Sequence, residues 1–360
     1  MARATKVTID LDAIRYNYRL AKERAPGSKV MAVVKANAYG HGMREVVESL
    51  DEAPAFAVAI IDEAIELRTY TSKPILILEG VIRSEELAQA KQFDLTPAIH
   101  TEQQLQLLHE HTDKAPRSYW IVMDTGMSRL GFKRDQIVPA IESLLNNDVV
   151  EQVVVYSHLA NASSPEMASN EAQLSAVDEL MAQFPHLQYS LANSAAIISA
   201  EKYHKDWGRA GIMLYGGSPF DDITHPESQR LKPAMSLTAE VIATRQLEPG
   251  ESAGYGSTWT AERPSKIATI AVGYADGYPR HAPSGTPVFI RGERLPLAGR
   301  VSMDMIMVDI TDHPEVTTGD MAELFGDNIS INEVAQAADT ISYHLMTSIS
   351  ARVRREYRSA

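Results

Sequence analysis

The sequence contains no cysteine among its 360 residues. This absence excludes a disulfide framework, a thiolate metal site and a cysteine nucleophile or base. The sequence also lacks any apolar run near the roughly 20 residues that a membrane-spanning helix requires, so we expect no membrane partner. Arg3 and Lys6 stand near the start without an apolar core behind them. That pattern argues against a secretory signal and favours the cytoplasm.

Positive charge is scarce relative to negative charge. The chain has 34 lysines and arginines against 47 aspartates and glutamates, which gives a formal net charge of -13 at pH 7. Nucleic acid repels a chain this acidic, so we expect no nucleic-acid partner. The 11 histidines are scattered and none shows the HExxH spacing of a zinc site. We therefore expect no metal site.

Short apolar runs alternate with amphipathic segments through the first 230 residues or so. Their spacing, mostly about 20 to 35 residues, is the length of a strand plus a crossover helix. Eight strands with helices between them predict an α/β fold, a (β/α)8 TIM barrel. An open doubly wound sheet has the same alternation and stays open as an alternative. The eight runs are residues 30–34, 56–60, 75–78, 95–99, 119–123, 153–157, 188–191 and 205–208.

The pattern changes after Pro233. Four further runs follow, separated by turn residues. Each either alternates apolar with polar residues or is apolar throughout, and together they predict a second, mostly β domain. Ser330 with Glu333 three residues later predicts the start of a helix. A last helical stretch is expected to end in the basic residues 352–355. We therefore expect two domains, 1–230 and 231–360, with the four runs at residues 236–244, 267–272, 287–290 and 305–310.

Polar residues follow several of the predicted barrel strands. In a barrel, catalytic residues lie at the carboxyl ends of the strands, and phosphate groups favour the loops after the last two. Each residue alone also has an ordinary structural explanation, since a strand-end lysine is commonly solvated and a serine after asparagine commonly caps a helix. Their shared position is what indicates a site, which comprises Lys35, Arg129, His158, Ser194 and Arg209.

This combination of residues has a chemical meaning. Hydroxyl groups of Tyr39 and Ser194, with amides near Gly211, can bind a phosphate group. A desolvated amine of Lys35 has a lowered pKa, which frees it to condense with an aldehyde or to act as a base. A lysine, a phosphate site and Arg209 for a ring nitrogen together indicate pyridoxal phosphate.

Eight motifs occur in the chain in a fixed order: AVVKANAYGHG, MDTGMSRLGF, NSAA, GRAGIMLYGG, PGESAGYGSTW, AVGYADGYPR, GRVSMDMIMVDIT and ISYHLMTSISARVRREY. On these motifs the chain closely resembles the alanine racemase family over nearly its full length. The resemblance implies an N-terminal (β/α)8 barrel, a mostly β C-terminal domain, pyridoxal 5'-phosphate and a head-to-tail homodimer. It also implies interconversion of L-alanine and D-alanine, which supplies D-alanine for peptidoglycan.

The resemblance further implies the role of each residue in the cofactor site. Lys35 would be the Schiff-base lysine and one of two catalytic bases. Tyr255, in the second domain, would be the other base and would reach the barrel of the other chain of the dimer. Arg209 would face the pyridine nitrogen, and the phosphate would be held by Tyr39, Ser194, Gly211, Ile212 and Tyr343.

The substrate side of the site is implied in the same way. Arg129 and the amide of Met303 would bind the substrate carboxylate. His158 would link Tyr255 to Arg209. His158 and Arg209 would together provide the positive charge that stabilises the phenolate of Tyr255. The pocket would also be lined by Tyr274 and Asp304, and its entrance would be shaped by Arg280, Arg300 and Ile341.

Two positions depart from the family pattern. Val122 stands where family members often carry a lysine that becomes carbamylated and braces the carboxylate-binding arginine. Arg129 must therefore be held in another way or be more mobile, and we expect activity to be independent of bicarbonate. Ser163 stands where an acidic residue often lines the entrance, so substrate access is expected to differ.

Other functions remain as alternatives to an alanine racemase. A barrel-type pyridoxal-phosphate decarboxylase of basic amino acids uses a cysteine and an acidic partner for the ring nitrogen, whereas this chain offers Arg209. A pyridoxal-phosphate carrier protein is a single barrel without a second domain. Within the racemases, a specificity for serine or basic amino acids stays open, because a hydrophobic pocket rejects one added hydroxyl poorly.

Overall fold

The computed structural model describes residues 3–359. Met1, Ala2 and Ala360, at the outer ends of the two expected domains, lie outside the described residues. The chain forms one closed barrel of parallel strands and one separate eight-stranded sheet. A two-stranded ribbon of β11 (Ser252–Ala253) and β12 (Trp259–Thr260) completes the strands.

The barrel consists of eight strands that pair in parallel, each with the next along the chain. The last strand pairs with the first, with Met31 opposite Arg209, so the sheet closes on itself. This closure confirms the predicted (β/α)8 barrel, and each predicted run overlaps one strand. The strands are β2 (Lys29–Val33), β3 (Phe56–Val58), β4 (Ile75–Ile77), β5 (Thr96–Ile99), β6 (Ser118–Val122), β7 (Gln152–Tyr156), β8 (Gln188–Ser190) and β9 (Trp207–Ala210).

Helices connect the barrel strands in sequence. One of them, α1, precedes the barrel, and its Asn17 donates hydrogen bonds to Leu214 O and Lys232 O beyond the last strand. Thr101 caps its helix by accepting from Gln104 N. The segments are α1 (Leu11–Arg24), α2 (Lys35–Tyr39), α3 (Met43–Ser49), α4 (Ile61–Arg68), α5 (Ser84–Gln92), α6 (Glu102–Glu110), α7 (Ile137–Leu145), α8 (Ala168–Gln183) and α9 (Ser194–Ser199).

The second sheet contains the four strands predicted after Pro233 and further strands that the sequence analysis missed. The main path runs β15-β14-β17-β10-β1-β18, and β13 joins β10 to β16. Two helices follow, α10 (Ile331–Ala337) and α11 (Ser342–Ser348), and Ser330 caps the first of them as predicted. The strands are β1 (Lys6–Asp10), β10 (Met235–Leu247), β13 (Ser265–Ile270), β14 (Pro287–Ile290), β15 (Glu293–Pro296), β16 (Ile306–Asp309), β17 (Met321–Phe325) and β18 (Arg354–Arg358).

Two expectations for the ends of the chain are wrong. Strand β1 lies in the second sheet and not in the barrel, since Val7 pairs with Leu237 on one side and Arg355 on the other. The last helical stretch ends at Ser348, and β18 follows it as an edge strand. Charged residues are typical of edge strands, which explains why this basic segment gives no strand signal.

No helix within residues 3–359 is long and apolar enough to cross a membrane. Over the same residues, no group of three or more histidine, aspartate or glutamate side chains could hold a metal ion.

Candidate active site

A cavity of about 1130 Å³ opens at the carboxyl ends of the barrel strands. It brings together most of the site residues that the sequence analysis assigned to the barrel, with two from α11 and its N-cap. Val122 and Ser163, the two departures from the family pattern, also line it. The predicted residues in its lining are Lys35, Tyr39, Arg129, His158, Ser194, Arg209, Gly211, Ile212, Ile341 and Tyr343.

The segment α2 that follows β2 is a left-handed turn. Ala36, Asn37 and Ala38 have φ of 52°, 54° and 51° with ψ near 50°, and Tyr39 has φ of 53°. Left-handed residues other than glycine cost roughly 1–2 kcal/mol each, so surrounding contacts must hold the turn. The turn begins at Lys35 and ends at Tyr39, and both side chains line the cavity.

His41 is one of the residues that hold this turn. Its Nδ1 lies 3.1 Å from Ala38 O and 3.0 Å from Tyr39 O, and because both are acceptors, Nδ1 must carry the proton. The Arg355 side chain adds a bond from Nε to Gly40 O at 2.9 Å. The second domain thus contacts the turn directly through β18.

We expect His41 to make the protein labile to acid. The ring is fully buried and Nε2 has no hydrogen-bond partner among residues 3–359, and this burial lowers the His41 pKa from 6.5 to about 4. The stabilisation is complete above the unfolded pKa and is lost as the pH falls from about 6.5 through about 4. The contribution of His41 to the free energy of unfolding that is lost across this pH interval is about 3 kcal/mol.

Urea unfolding of the wild type and of His41→Asn between pH 7.5 and pH 4 tests this expectation. The asparagine amide can donate to the same carbonyls but does not titrate there. The wild type should lose stability more steeply with acid than the variant. Equal slopes for the two proteins would contradict the assignment to His41.

The Lys35 amine is half-desolvated in the cavity. Burial lowers its pKa, and the nearby positive charge of Arg129 lowers it further, while Glu63 and Glu79 act in the opposite direction. A lowered pKa increases the fraction of neutral amine, which is the form that condenses with a carbonyl group or accepts a proton.

Arg209 lies buried at the end of β9 and is fixed by hydrogen bonds. Nη1 donates to Ser190 Oγ at 2.6 Å and Nη2 donates to Ser157 O at 2.7 Å. Burial lowers the Arg209 pKa to about 10, so it stays protonated at neutral pH. Its Nε donates no hydrogen bond to any residue of the described part of the chain. One fixed cationic donor therefore remains for a ligand.

His158 is neutral in this structure. Burial lowers its pKa to about 3, and the positive charges of Arg209, Arg129 and Lys35 add to the effect. Its Nδ1 lies 3.2 Å from Arg209 Nη2 and accepts a hydrogen bond from it. The expectation that His158 contributes positive charge is therefore wrong: it contributes a hydrogen bond, and Arg209 carries the charge.

Hydroxyl and amide groups form an anion-binding pocket around Gly211. Gly211 N donates to Ser194 Oγ at 2.8 Å, and a Cβ atom at Gly211 would lie only 2.8 Å from the Tyr39 hydroxyl. Ile212 N has no hydrogen-bond partner within residues 3–359. Burial raises the pKa of Tyr39 and raises that of Tyr343 to about 12, so both remain donors. These groups fit a phosphate.

Arg129 lies on a short loop after β6. The backbone of this loop is ordered by Asp124, whose Oδ1 accepts from Gly126 N at 3.0 Å and Ser128 N at 2.9 Å. The Arg129 side chain is exposed and makes no hydrogen bond or ion pair with the residues that the structure describes. Val122 offers the guanidinium no charge, so Arg129 has no anionic brace among residues 3–359.

The other predicted residues of the second domain, apart from Ile341 and Tyr343, lie outside this cavity. Tyr255 is 69% exposed, Met303 is 53% exposed and Tyr274 is 40% exposed. Asp304 pairs with Arg352 at 2.8 Å and is not part of the cavity lining. The remaining two residues, Arg280 and Arg300, are also exposed.

A buried carboxylate that the sequence analysis missed anchors the loop of Tyr274. Asp276 is fully buried and accepts from Arg3 at 2.6 Å, from Arg352 Nε at 2.8 Å and from Gly273 N at 2.8 Å. Arg3 and Arg352 also contact Asp304. The two loops at 273–278 and 302–305 are thereby fixed to each other.

Comparison with known proteins identifies the family. "Alanine racemase, N-terminal domain" matches residues 9–219, and "Alanine racemase, C-terminal domain" matches residues 234–357. The chain belongs to the alanine racemase family. The chain is 46% identical over 357 residues to the biosynthetic alanine racemase of Pseudomonas aeruginosa, with 99% of both chains covered. It is also 46% identical, with the same coverage, to the alanine racemase of Stutzerimonas stutzeri.

Solved alanine racemases share the whole fold. The biosynthetic alanine racemase of Pseudomonas aeruginosa superimposes with a TM-score of 0.95 at 45% identity and full coverage of both chains. The alanine racemase of Bartonella henselae, whose structure has covalently bound pyridoxal phosphate, superimposes with a TM-score of 0.89 at 33% identity over 99% of this chain and 100% of that one. Membership of the alanine racemase family confirms the resemblance and excludes the decarboxylase and carrier alternatives.

Proposed function

We propose that this chain is a pyridoxal-phosphate-dependent racemase that interconverts L-alanine and D-alanine with two bases. The observation that supports it most directly is the composition of the barrel-mouth cavity. There a lysine with a lowered pKa, a free Arg209 Nε and an anion-binding pocket around Gly211 line one space. Family membership makes alanine the expected substrate.

The residues of the cavity fit pyridoxal phosphate as the resident cofactor. When bound, this group withdraws electrons from the α-carbon of an attached amino acid and so acidifies the α-proton. Lys35 would attach the cofactor covalently, and Arg209 Nε would donate to the ring nitrogen. Arginine cannot protonate that nitrogen fully, which moderates the electron withdrawal. The phosphate would be held by Tyr39, Ser194, Gly211, Ile212 and Tyr343.

Proton transfer requires one group on each face of the α-carbon. The neutral amine of Lys35 accepts the proton on one face, and Tyr255 returns one on the other. His158 accepts from Arg209 through Nδ1, so its other nitrogen carries a proton that can stabilise a Tyr255 phenolate. Arg129 and the Met303 amide orient the substrate carboxylate, while Tyr274 and Asp304 line the pocket.

The site requires a second chain in this proposal. Tyr255, Tyr274 and Met303 are exposed and lie outside the cavity of their own chain, which is the arrangement that a homodimer with shared sites needs. Tyr255, Tyr343 and Met303 would leave a small pocket that favours alanine and tolerates serine. The product D-alanine would serve peptidoglycan synthesis in the cytoplasm.

The proposal is tested by adding L-alanine to the cofactor-loaded protein and measuring D-alanine with a D-amino-acid oxidase. Serine, arginine and glutamate are run as alternative substrates. We expect D-alanine to form until both enantiomers are equal, with slower turnover of serine. Faster turnover of arginine than alanine would contradict the proposed specificity, and no D-amino acid from any substrate would overturn the function.

We expect the activity to be independent of bicarbonate. Val122 is buried and has no amine that carbon dioxide could carbamylate, so no carbamate can form beside Arg129. Initial rates in degassed buffer should equal those with added bicarbonate at constant pH, with chloride at matched ionic strength as the control. A rate that rises and saturates with bicarbonate alone would contradict this expectation.

A further inference from the structure

Gln173 is a buried glutamine in the middle of α8, only 2% exposed. Its side-chain amide is bonded at both ends. Ala160 N donates to Oε1 at 2.9 Å, while Nε2 donates to Thr125 Oγ1 at 2.8 Å and to His158 O at 2.9 Å. The partners fix the orientation of the amide, since a backbone N–H needs the oxygen and a carbonyl needs the nitrogen.

These bonds join the two loops of the cavity that contain Arg129 and His158. Thr125 stands four residues before Arg129 in the loop after β6, and its hydroxyl is also 2.7 Å from Ser157 Oγ. Ser157 O in turn accepts from Arg209 Nη2 at 2.7 Å. One hydrogen-bonded network therefore links Gln173 to the loop of Arg129, to His158 and to Arg209.

The loop of Arg129 has few other constraints. The Arg129 guanidinium has no partner among the described residues, and Val122 offers it none. Asp124 orders the loop internally but does not attach it to the next strand. The bond from Gln173 to Thr125 is thus a direct attachment of this loop to the His158 side of the cavity.

We propose that Gln173 is a positioning residue for the reaction, a role that rests on the proposed function. By attaching Thr125 it sets the height of Arg129 above the barrel, and hence the place of the substrate carboxylate. By donating to His158 O it fixes the position of the histidine that would face Tyr255 in the dimer. In this chain the attachment of the loop by Gln173, through the Thr125 hydroxyl, replaces a brace on the arginine side chain.

A second buried glutamine provides a matched control. Gln104 on α6 also joins two barrel loops: its Oε1 accepts from His100 N at 2.8 Å, and its Nε2 donates to Val81 O at 3.2 Å. Both loops reach the cavity wall, but neither contains Arg129, His158 or another of the proposed substrate or cofactor contacts. Gln104→Met and Gln173→Met therefore remove the same kind of buried amide, but only the second releases Arg129 and His158.

The test compares four variants with the wild type in the cofactor-loaded protein. Gln173→Met should raise KM for L-alanine about tenfold and shift the pH profile of kcat, whereas Gln104→Met should stay within about twofold despite a similar loss of thermal stability. Thr125→Val should raise KM with little change in kcat, because it removes the hydroxyl bonds of the Arg129 loop to Gln173 and Ser157 but leaves the bond from Gln173 to His158 O. Thr125→Ser, which keeps the hydroxyl, should restore the wild-type KM.

Amide hydrogen exchange of residues 124–131 gives a readout that does not depend on turnover. We expect faster exchange there in Gln173→Met and Thr125→Val than in Gln104→Met. If the wild type racemises normally but Gln173→Met and Gln104→Met have the same KM and the same exchange rates, the role of Gln173 is overturned and the proposed function is not. A wild type that racemises no amino acid would overturn the proposed function, and this role with it.

Discussion

Replacing Lys35 with alanine is expected to lower kcat for L-alanine by at least about ten-thousandfold, because in the proposed function one amine both attaches the cofactor and transfers the proton. No other lysine lines the cavity among the described residues. The residual activity should not depend on the concentration of pyridoxal phosphate. Racemisation rates of wild type and Lys35→Ala, both measured with excess cofactor, give the ratio directly.

The matched control for this experiment is Lys29→Ala. Lys29 begins the strand β2 that Lys35 follows, and its amine lies over the Trp207 ring, 5.2 Å from the centroid, at the opposite end of the barrel. Lys29→Ala should keep the wild-type rate. It should also retain the cofactor on the chain after borohydride reduction, which makes a lysine–aldehyde linkage permanent. Retention of borohydride-fixed cofactor by Lys35→Ala would contradict the assignment of the attachment site.

Replacing Tyr255 with phenylalanine is expected to lower kcat by about a thousandfold, because the substitution removes the phenol oxygen that we propose returns the proton on one face. Mixing the two variants tests whether the site is shared between chains. Lys35→Ala and Tyr255→Phe are each nearly inactive, but a dimer with one chain of each has one site with both defects and one site with neither. Equal mixing with free exchange of subunits should therefore restore about a quarter of the wild-type activity.

The control for the mixing experiment is Lys35→Ala combined with the double variant Lys35→Ala/Tyr255→Phe. Every site in that mixture lacks Lys35, so no recovery is expected. Recovery in the first mixture alone supports sites shared between chains. Its absence there, with subunit exchange verified by tagged chains, would mean that Lys35 and Tyr255 act within one chain, which the exposed position of Tyr255 argues against.

The barrel could be predicted from the sequence because its strands are buried on both faces. Such strands appear as continuous apolar runs, and each of the eight runs overlaps a strand. Strands β1 and β18 could not be predicted in this way. Each has five residues, and they become strands by pairing with each other from opposite ends of the chain, with Lys6 opposite Arg354.

The site could be predicted in its composition but not in its geometry. Motifs placed Lys35, Arg209 and Ser194 at one end of the barrel, and the structure gathers them around one cavity. The left-handed turn after Lys35 could not be predicted, since its residues include no glycine before Gly40 to indicate positive φ. The neutral state of His158 depends on burial and on neighbouring charges, which a motif does not give.

Gln173 and Asp276 were missed for a related reason. A glutamine in a surface helix pattern and an aspartate before glycine both have ordinary explanations in a sequence. Their importance comes from burial and from partners that are distant along the chain, such as Arg3 and Arg352 for Asp276.

The pairing of β1 with β18 affects the order in which the protein can assemble during synthesis. Strand β1 leaves the ribosome first, but its neighbours in the sheet are β10 and the very last strand. The barrel residues are complete well before that, so the barrel can form while β1 still has no neighbour in the sheet. The second sheet can close only after residues 354–358 have been synthesised and have left the ribosome, so it forms later than the barrel.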